Sequence, residues 1–186
     1  MSTATPATYA WLYEEFTDDV GETWLCTTFV RDITPREALR RIDVAPGPLG
    51  DSESGVAAYA AHGGTVLIDH GWSEIVYLKA DELSMGTAAA TVRATTSAHD
   101  FTYTENARLI TTFSPYSYKF REGDDPDRLH QDVNALGLDL KTEDIEYPAT
   151  PLPRALALAA RATGVHLSPA QYATGPLIGP TDHLYP

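Results

Sequence analysis

The sequence predicts an α+β domain with a largely antiparallel β-sheet covered by helices on one face. Three observations point there. Strand-like and helix-like runs are mixed along the chain rather than strictly alternating. Several strand-like runs follow one another through short turns, as antiparallel neighbours do. Crossover helices are too few for a doubly wound parallel sheet. The 186 residues suit one domain, expected over 9–178, with a flexible start at 1–8 and a tail at 179–186. A globule of this size buries about 70% of its unfolded surface, so it needs no metal or disulfide staple.

The elements follow in chain order. "TYAWLYEEF" sets Trp11 and Leu12 near Phe16, the pattern of a short amphipathic helix. Thr23 to Val30 is rich in aromatic and β-branched residues and reads as a strand. In "DITPREALRRID", Thr34 is the N-cap, Pro35 the first helical residue, and Glu37 completes a capping box. Leu39 and Ile42 then face inward. Residues 45–55, "APGPLGDSESG", form a loop by their Pro, Gly and Ser content. "GVAAYAAH" is expected to be a short Ala-rich helix. "GTVLIDHGW" and "EIVYLK" read as strands either side of a turn at His70-Gly71, "ADELSMGT" as one helical turn, and "ATVRATTS" as a strand.

"FTYTENARLITTF" carries the clearest hairpin signal. Aromatic residues and threonine alternate before a polar turn, and Asn106 tolerates the left-handed conformation such a turn requires. Phe101 and Tyr103 share one face, while His99 and Asp100 enter the strand on opposite faces. Tyr116, Tyr118 and Phe120 alternate in "PYSYKF" and, if extended, line one face. Core packing is favoured there over an exposed stripe. Asp125-Pro126 opens a helix with Leu129, Val133 and Leu136 as its buried stripe, and Gly137 stops it. An acidic, Pro-rich connector occupies 138–153. "PRALALAARATG" is strongly helical up to Gly164, and Ser168-Pro169 caps one further turn. The tail "GPLIGPTDHLYP" is expected to be extended or loosely docked.

Composition bounds the function. Thirteen basic against 26 acidic residues leave a formal charge of −13. Such a surface repels phosphate backbones and anionic membranes. The densest basic cluster, Arg36, Arg40 and Arg41, is ringed by Asp32, Glu37 and Asp43. Neither nucleic acid nor membrane is therefore an expected partner. The start of the chain lacks the basic residues and apolar core of a signal peptide. Cys26 is the only cysteine, so no intramolecular disulfide can form, and a cytoplasmic setting is expected.

Four runs resemble a known group. They are "WLCTTFVRDITPREALRRI", "GTVLIDHGW", "FTYTENARLITTFSP" and "PRALALAARATGVHLSPAQY". In order and spacing they resemble the opening strand and helix, acidic strand end, central hairpin and closing helix of the actinobacterial DUF6461 family. The acidic position is Asp69 here, where the family more often has Glu. The resemblance implies a shared fold and a bacterial cytoplasmic setting. It carries no activity and no site residue.

No catalytic motif stands out. The six histidines lack zinc-ligand spacing and Cys26 alone builds no thiolate site, so no metal is expected. Glycine-rich stretches lack dinucleotide or phosphate-loop spacing, so no cofactor is expected. The serines form no nucleophile elbow. "IDHGW" is the best place for chemistry, because Asp69 and His70 end an apolar strand at a glycine turn beside Trp72. The plainer reading makes Asp69 a bonder of turn amides and Trp72 a core residue, and it outweighs the chemical one. His99 joins Asp69 and His70 as a third catalytic candidate. Trp72, Tyr103, Tyr116 and Tyr118 are the candidate binding aromatics.

The expected function is a non-enzymatic protein-binding module of accessory, immunity or regulatory type, which leans on the missing motifs and on acidity. The alternative is a small-molecule enzyme without metal or nucleotide, using acid/base residues in an aromatic-lined pocket. A solely structural or oligomeric role is a third. A deep pocket with two convergent ionisable groups favours the enzyme. An acidic face bearing exposed aromatics favours the binder.

Overall fold

The computed structural model describes residues 4–139 and 151–185. A 3-10 turn at Pro6–Tyr9 runs into α1, Ala10–Glu15. Strand β1 (Leu25–Arg31) leads to α2 (Pro35–Arg41), where the Thr34 side chain accepts the Glu37 amide at 3.3 Å. Glu37 does not complete the expected capping box. Its carboxylate is taken by the Arg40 and Arg41 guanidiniums, a charge-assisted pairing that outcompetes a backbone amide.

Strands β2 (Gly55–Ala61) and β3 (Gly64–His70) form a tight hairpin, followed by the short helices α3 (Ile75–Leu78) and α4 (Ala80–Ser84). Two expectations are overturned here. "GVAAYAA" is strand β2, not a helix: it lies between two other strands, buried on both faces, so its alanines fit where larger residues would not. "EIVYLK" is α3 rather than a strand, because Ile75 and Val76 turn inward beneath it and Asp69 anchors its first turn. Local β-propensity gives way to tertiary packing.

Strands β4 (Ala88–Ala94), β5 (His99–Glu105), β6 (Arg108–Ser114) and β7 (Ser117–Glu122) continue the sheet. The β5–β6 hairpin is as expected. Glu105 pairs with Arg108, and Asn106 and Ala107 both take positive φ, 51° and 60°, the two-residue turn that suits strand twist. Helix α5 is shorter than predicted, His130–Ala135, because residues after Asp125 form successive turns before the helix closes. Leu129, Val133 and Leu136 are nonetheless buried, and Gly137 stops the helix with φ 67°. Helix α6 (Pro151–Thr163) ends as predicted at Gly164, and α7 (Pro169–Ala173) carries a Ser168–Gln171 capping box. The tail docks firmly: Leu177–Pro180 is β8, paired with β2. The connector expected at 138–153 lies mostly outside the described residues.

All eight strands form one antiparallel sheet in the order β7-β6-β5-β4-β1-β3-β2-β8. The fold is α+β, and helices cover both faces rather than one. Against one face α6 packs with α1, α5 and α7 over Phe29, Tyr59, Ile68, Phe101 and Tyr103. Against the other, α2, α3 and α4 cover Cys26, Val30, Val56, Leu67 and Ala89. Central strands buried on both sides lose polar alternation, which is why they read as plain apolar runs. Arg31 ties the layers, donating to the Ala162 and Thr163 carbonyls at the end of α6. No described helix is long and apolar enough to cross a membrane.

Candidate functional site

Asp69 is buried at 4% exposure on the α2–α4 face, next to last in β3. Its Oδ1 accepts the Ser73 hydroxyl at 3.0 Å and its Oδ2 the Val76 amide at 3.2 Å. The Cys26 thiol also faces it. Among the described residues no cation pairs with the buried carboxylate, and desolvation pushes its pKa up to about 7, against the opposing pull of these donors. Burial likewise raises the Cys26 thiol, with the Asp69 charge adding to it, which makes this cysteine unreactive. Asp69 thus staples residues 73–76 to the strand end and shapes the loop that presents Trp72. At Gly71 that loop passes so close to the chain that an added Cβ would lie 2.2 Å from the Glu53 carbonyl oxygen. With φ 69°, the position requires glycine.

Trp72 is 76% exposed, so the plainer reading that made it a core residue is overturned. Its ring meets Trp24 edge to face, centroids 4.5 Å apart. These two rings line an open cleft of about 340 Å³ with Phe16, Thr17, Thr96 and three carboxylates, Glu15, Asp18 and Glu22. An adjoining cleft of about 270 Å³ shares Glu22, Thr23 and Thr96 and adds Tyr13, Thr95, His99, Tyr116 and Leu152. His99 stands edge-on to Tyr116, centroids 5.1 Å apart. The pair of clefts runs along one end of the sheet, where β1 and β5 begin and β3 and β4 end.

The acidic wall is built locally. Asp18 Oδ1 accepts the Val20 and Glu22 amides at 3.0 and 2.8 Å, closing a turn through Gly21 at φ 84°. Thr17 and Thr23 join hydroxyls across it at 2.9 Å. Trp24 follows, its amide bonded to the Phe16 carbonyl. The turn therefore carries Glu22 and Trp24 to the cleft as one unit.

A family model described as a family of unknown function (DUF6461) matches residues 56–175. The chain belongs to the DUF6461 family. No curated protein and no solved structure matches it significantly. The match takes in β2 to α7, hence Asp69, Trp72, His99 and Tyr116. The acidic turn and Trp24 lie before it.

In this DUF6461 protein the three catalytic candidates do not converge. Asp69 is sealed on one face of the sheet, while His99 lies on the other with Phe101. His70 sits three strands from His99 in the sheet, about 14 Å at ~4.8 Å per strand. Partial burial holds the His70 pKa below its ordinary value. Among the described residues no group of three or more His, Cys, Asp or Glu is placed to hold a metal.

The binding candidates divide likewise. Trp72 and Tyr116 reach the clefts. Tyr103 is buried, its hydroxyl given to Glu105, and its pKa is raised chiefly by burial. Tyr118 is buried too, between Phe113 and His130. Core packing holds for Tyr118 but not for Phe120. β7 ends the sheet, and Phe120 is 69% exposed beneath the Lys119 ammonium. Sequence reading missed Trp24, Glu22 and Tyr13. The one available signal was that residues 1–30 hold five acidic side chains and no Lys or Arg.

Proposed function

We propose that this DUF6461 protein is a non-enzymatic protein-binding module of accessory, immunity or regulatory type, working in an actinobacterial cytoplasm. The observation that carries this reading is Trp72, held 76% exposed at the mouth of an open cleft by a loop that a buried carboxylate staples in place. An exposed tryptophan on a rigid support is a typical interface anchor, combining large contact area with little entropy to lose. The acidic rim of Glu15, Asp18 and Glu22 adds selectivity and attraction at a distance.

A small-molecule enzyme fits less well. It needs ionisable groups converging on a cavity, and Asp69, His70 and His99 are divided between faces and strands. The clefts are open to solvent, and the near-neutral acid, Asp69, does not line them.

The test is affinity capture from the native host with wild-type and Trp72→Ala baits in parallel, followed by reconstitution from purified components. The reading expects a partner whose dissociation constant rises at least about tenfold in the variant. A reconstituted partner with equal affinity for both proteins would contradict it.

A further inference from the structure

Resting on the protein-binding reading, we infer that the contacting segment of the partner is basic and sets an arginine or lysine side chain into the corner between Trp24 and Trp72. Three features of the cleft carry this. Its walls hold two indoles and the Phe16 ring, its carboxylates are Glu15, Asp18 and Glu22, and no Lys or Arg lines it among the described residues. Among the described residues the adjoining cleft again has no basic lining, and it adds the rings of Tyr13 and Tyr116.

Many carboxylates elsewhere on the surface are neutralised by neighbouring cations, and those of the cleft are not. Glu37, Glu74, Glu82, Asp100, Glu105, Asp124, Asp125, Asp127 and Asp132 all sit in ion pairs with the chain's own cations. Among the described residues Glu15, Asp18 and Glu22 have no such pairing. Aromatic faces beside carboxylates that no cation neutralises are the chemistry that recognises an organic cation with an apolar stem. Val20, 82% exposed on the same acidic turn, offers further apolar contact to such a stem. Guanidinium suits the site best, being flat enough to stack on an indole while its edge donates to a carboxylate. The remaining acidic surface, from a formal −13, steers the same kind of partner inward.

The test uses a short amidated peptide alternating arginine and serine, its citrulline counterpart, and tryptophan fluorescence as readout. The inference expects the arginine peptide to bind, the citrulline peptide to bind at least about tenfold more weakly, and the affinity to fall with salt. Trp72→Ala and the Glu15→Gln/Glu22→Gln pair should each weaken binding about tenfold, while Trp72→Phe keeps most of it. The remote pair Glu122→Gln/Asp124→Asn, which removes the same charge elsewhere, should change it less than twofold by simple screening. Thermal melts of each variant exclude misfolding. Equal binding of the citrulline peptide, no binding at all, or equal loss from the remote pair overturns the inference. A native partner that needs Trp72 yet ignores Glu15→Gln/Glu22→Gln overturns the basic segment and leaves the protein-binding reading standing.

Discussion

Tyr185 places its hydroxyl 3.1 Å from Ser73 Oγ, so the end of the chain closes over the same loop that Asp69 holds from beneath. The Glu74 amide donates to the same phenol at 3.0 Å. The end of β3 and a tail residue 112 positions beyond Ser73 thereby fix, from two sides, the loop that supports Trp72. Tyr185→Phe removes both bonds and should lower stability by about 1–2 kcal/mol, read by urea denaturation. An unchanged midpoint would show that the tail does not brace this loop.

Asp69 gives the fold a pH dependence with a definite sign. The folded chain holds the proton more tightly than the unfolded one, from an ordinary 3.8 up to about 7. Its contribution to stability is therefore full below the unfolded value and is lost as pH rises to about 7. The span corresponds to roughly 4 kcal/mol at most. Asp69→Asn has no such titration, so its stability relative to wild type should climb between about pH 4 and pH 7 and then level off. A difference constant across that window contradicts an uncompensated buried carboxylate.

Much of this fold was legible, and the misses share a cause. Thr34-Pro35 and the Asn106 turn are local signals, and both elements form where those residues place them. Val56 to Ala58 look helical by propensity, yet they lie in a strand flanked by β3 and β8 and buried on both faces. Ile75 to Tyr77 look extended, yet they turn because Asp69 captures the Val76 amide. The site was half legible. "IDHGW" pointed to Trp72, but its contact with Trp24 spans 48 positions and leaves no trace in local pattern. Nothing in the local pattern marks Glu15, Asp18 and Glu22, which the fold brings beside two indoles.

The helix start at Thr34 offers a simple check. Thr34→Ala strips the Glu37 amide of its acceptor and should cost about 1 kcal/mol. A thermal melt with no loss would mean that Pro35 and the Glu37–Arg pairs suffice to start α2.

The hairpin separates architecture from site. Phe101 is fully buried against Phe113, so Phe101→Ala should cost about 3–5 kcal/mol. His99→Ala removes only an edge contact with Tyr116 and should stay within about 1 kcal/mol of wild type. Chemical denaturation of the two variants tests the contrast, and a large loss from His99→Ala would make it a core residue rather than a cleft wall.

The central claim is that the Trp72 cleft is where a partner protein sits. The most direct measurement places a photo-crosslinking benzoylphenylalanine at Val20, on the rim beside the cleft, and separately at Phe120, an exposed ring at the far edge of the sheet. After irradiation in native host cells, a partner seated on this cleft gives one discrete heavier adduct from position 20, lost when Trp72→Ala is added, and none from position 120. The same adducts from both positions, or an adduct at position 20 indifferent to Trp72, would contradict it.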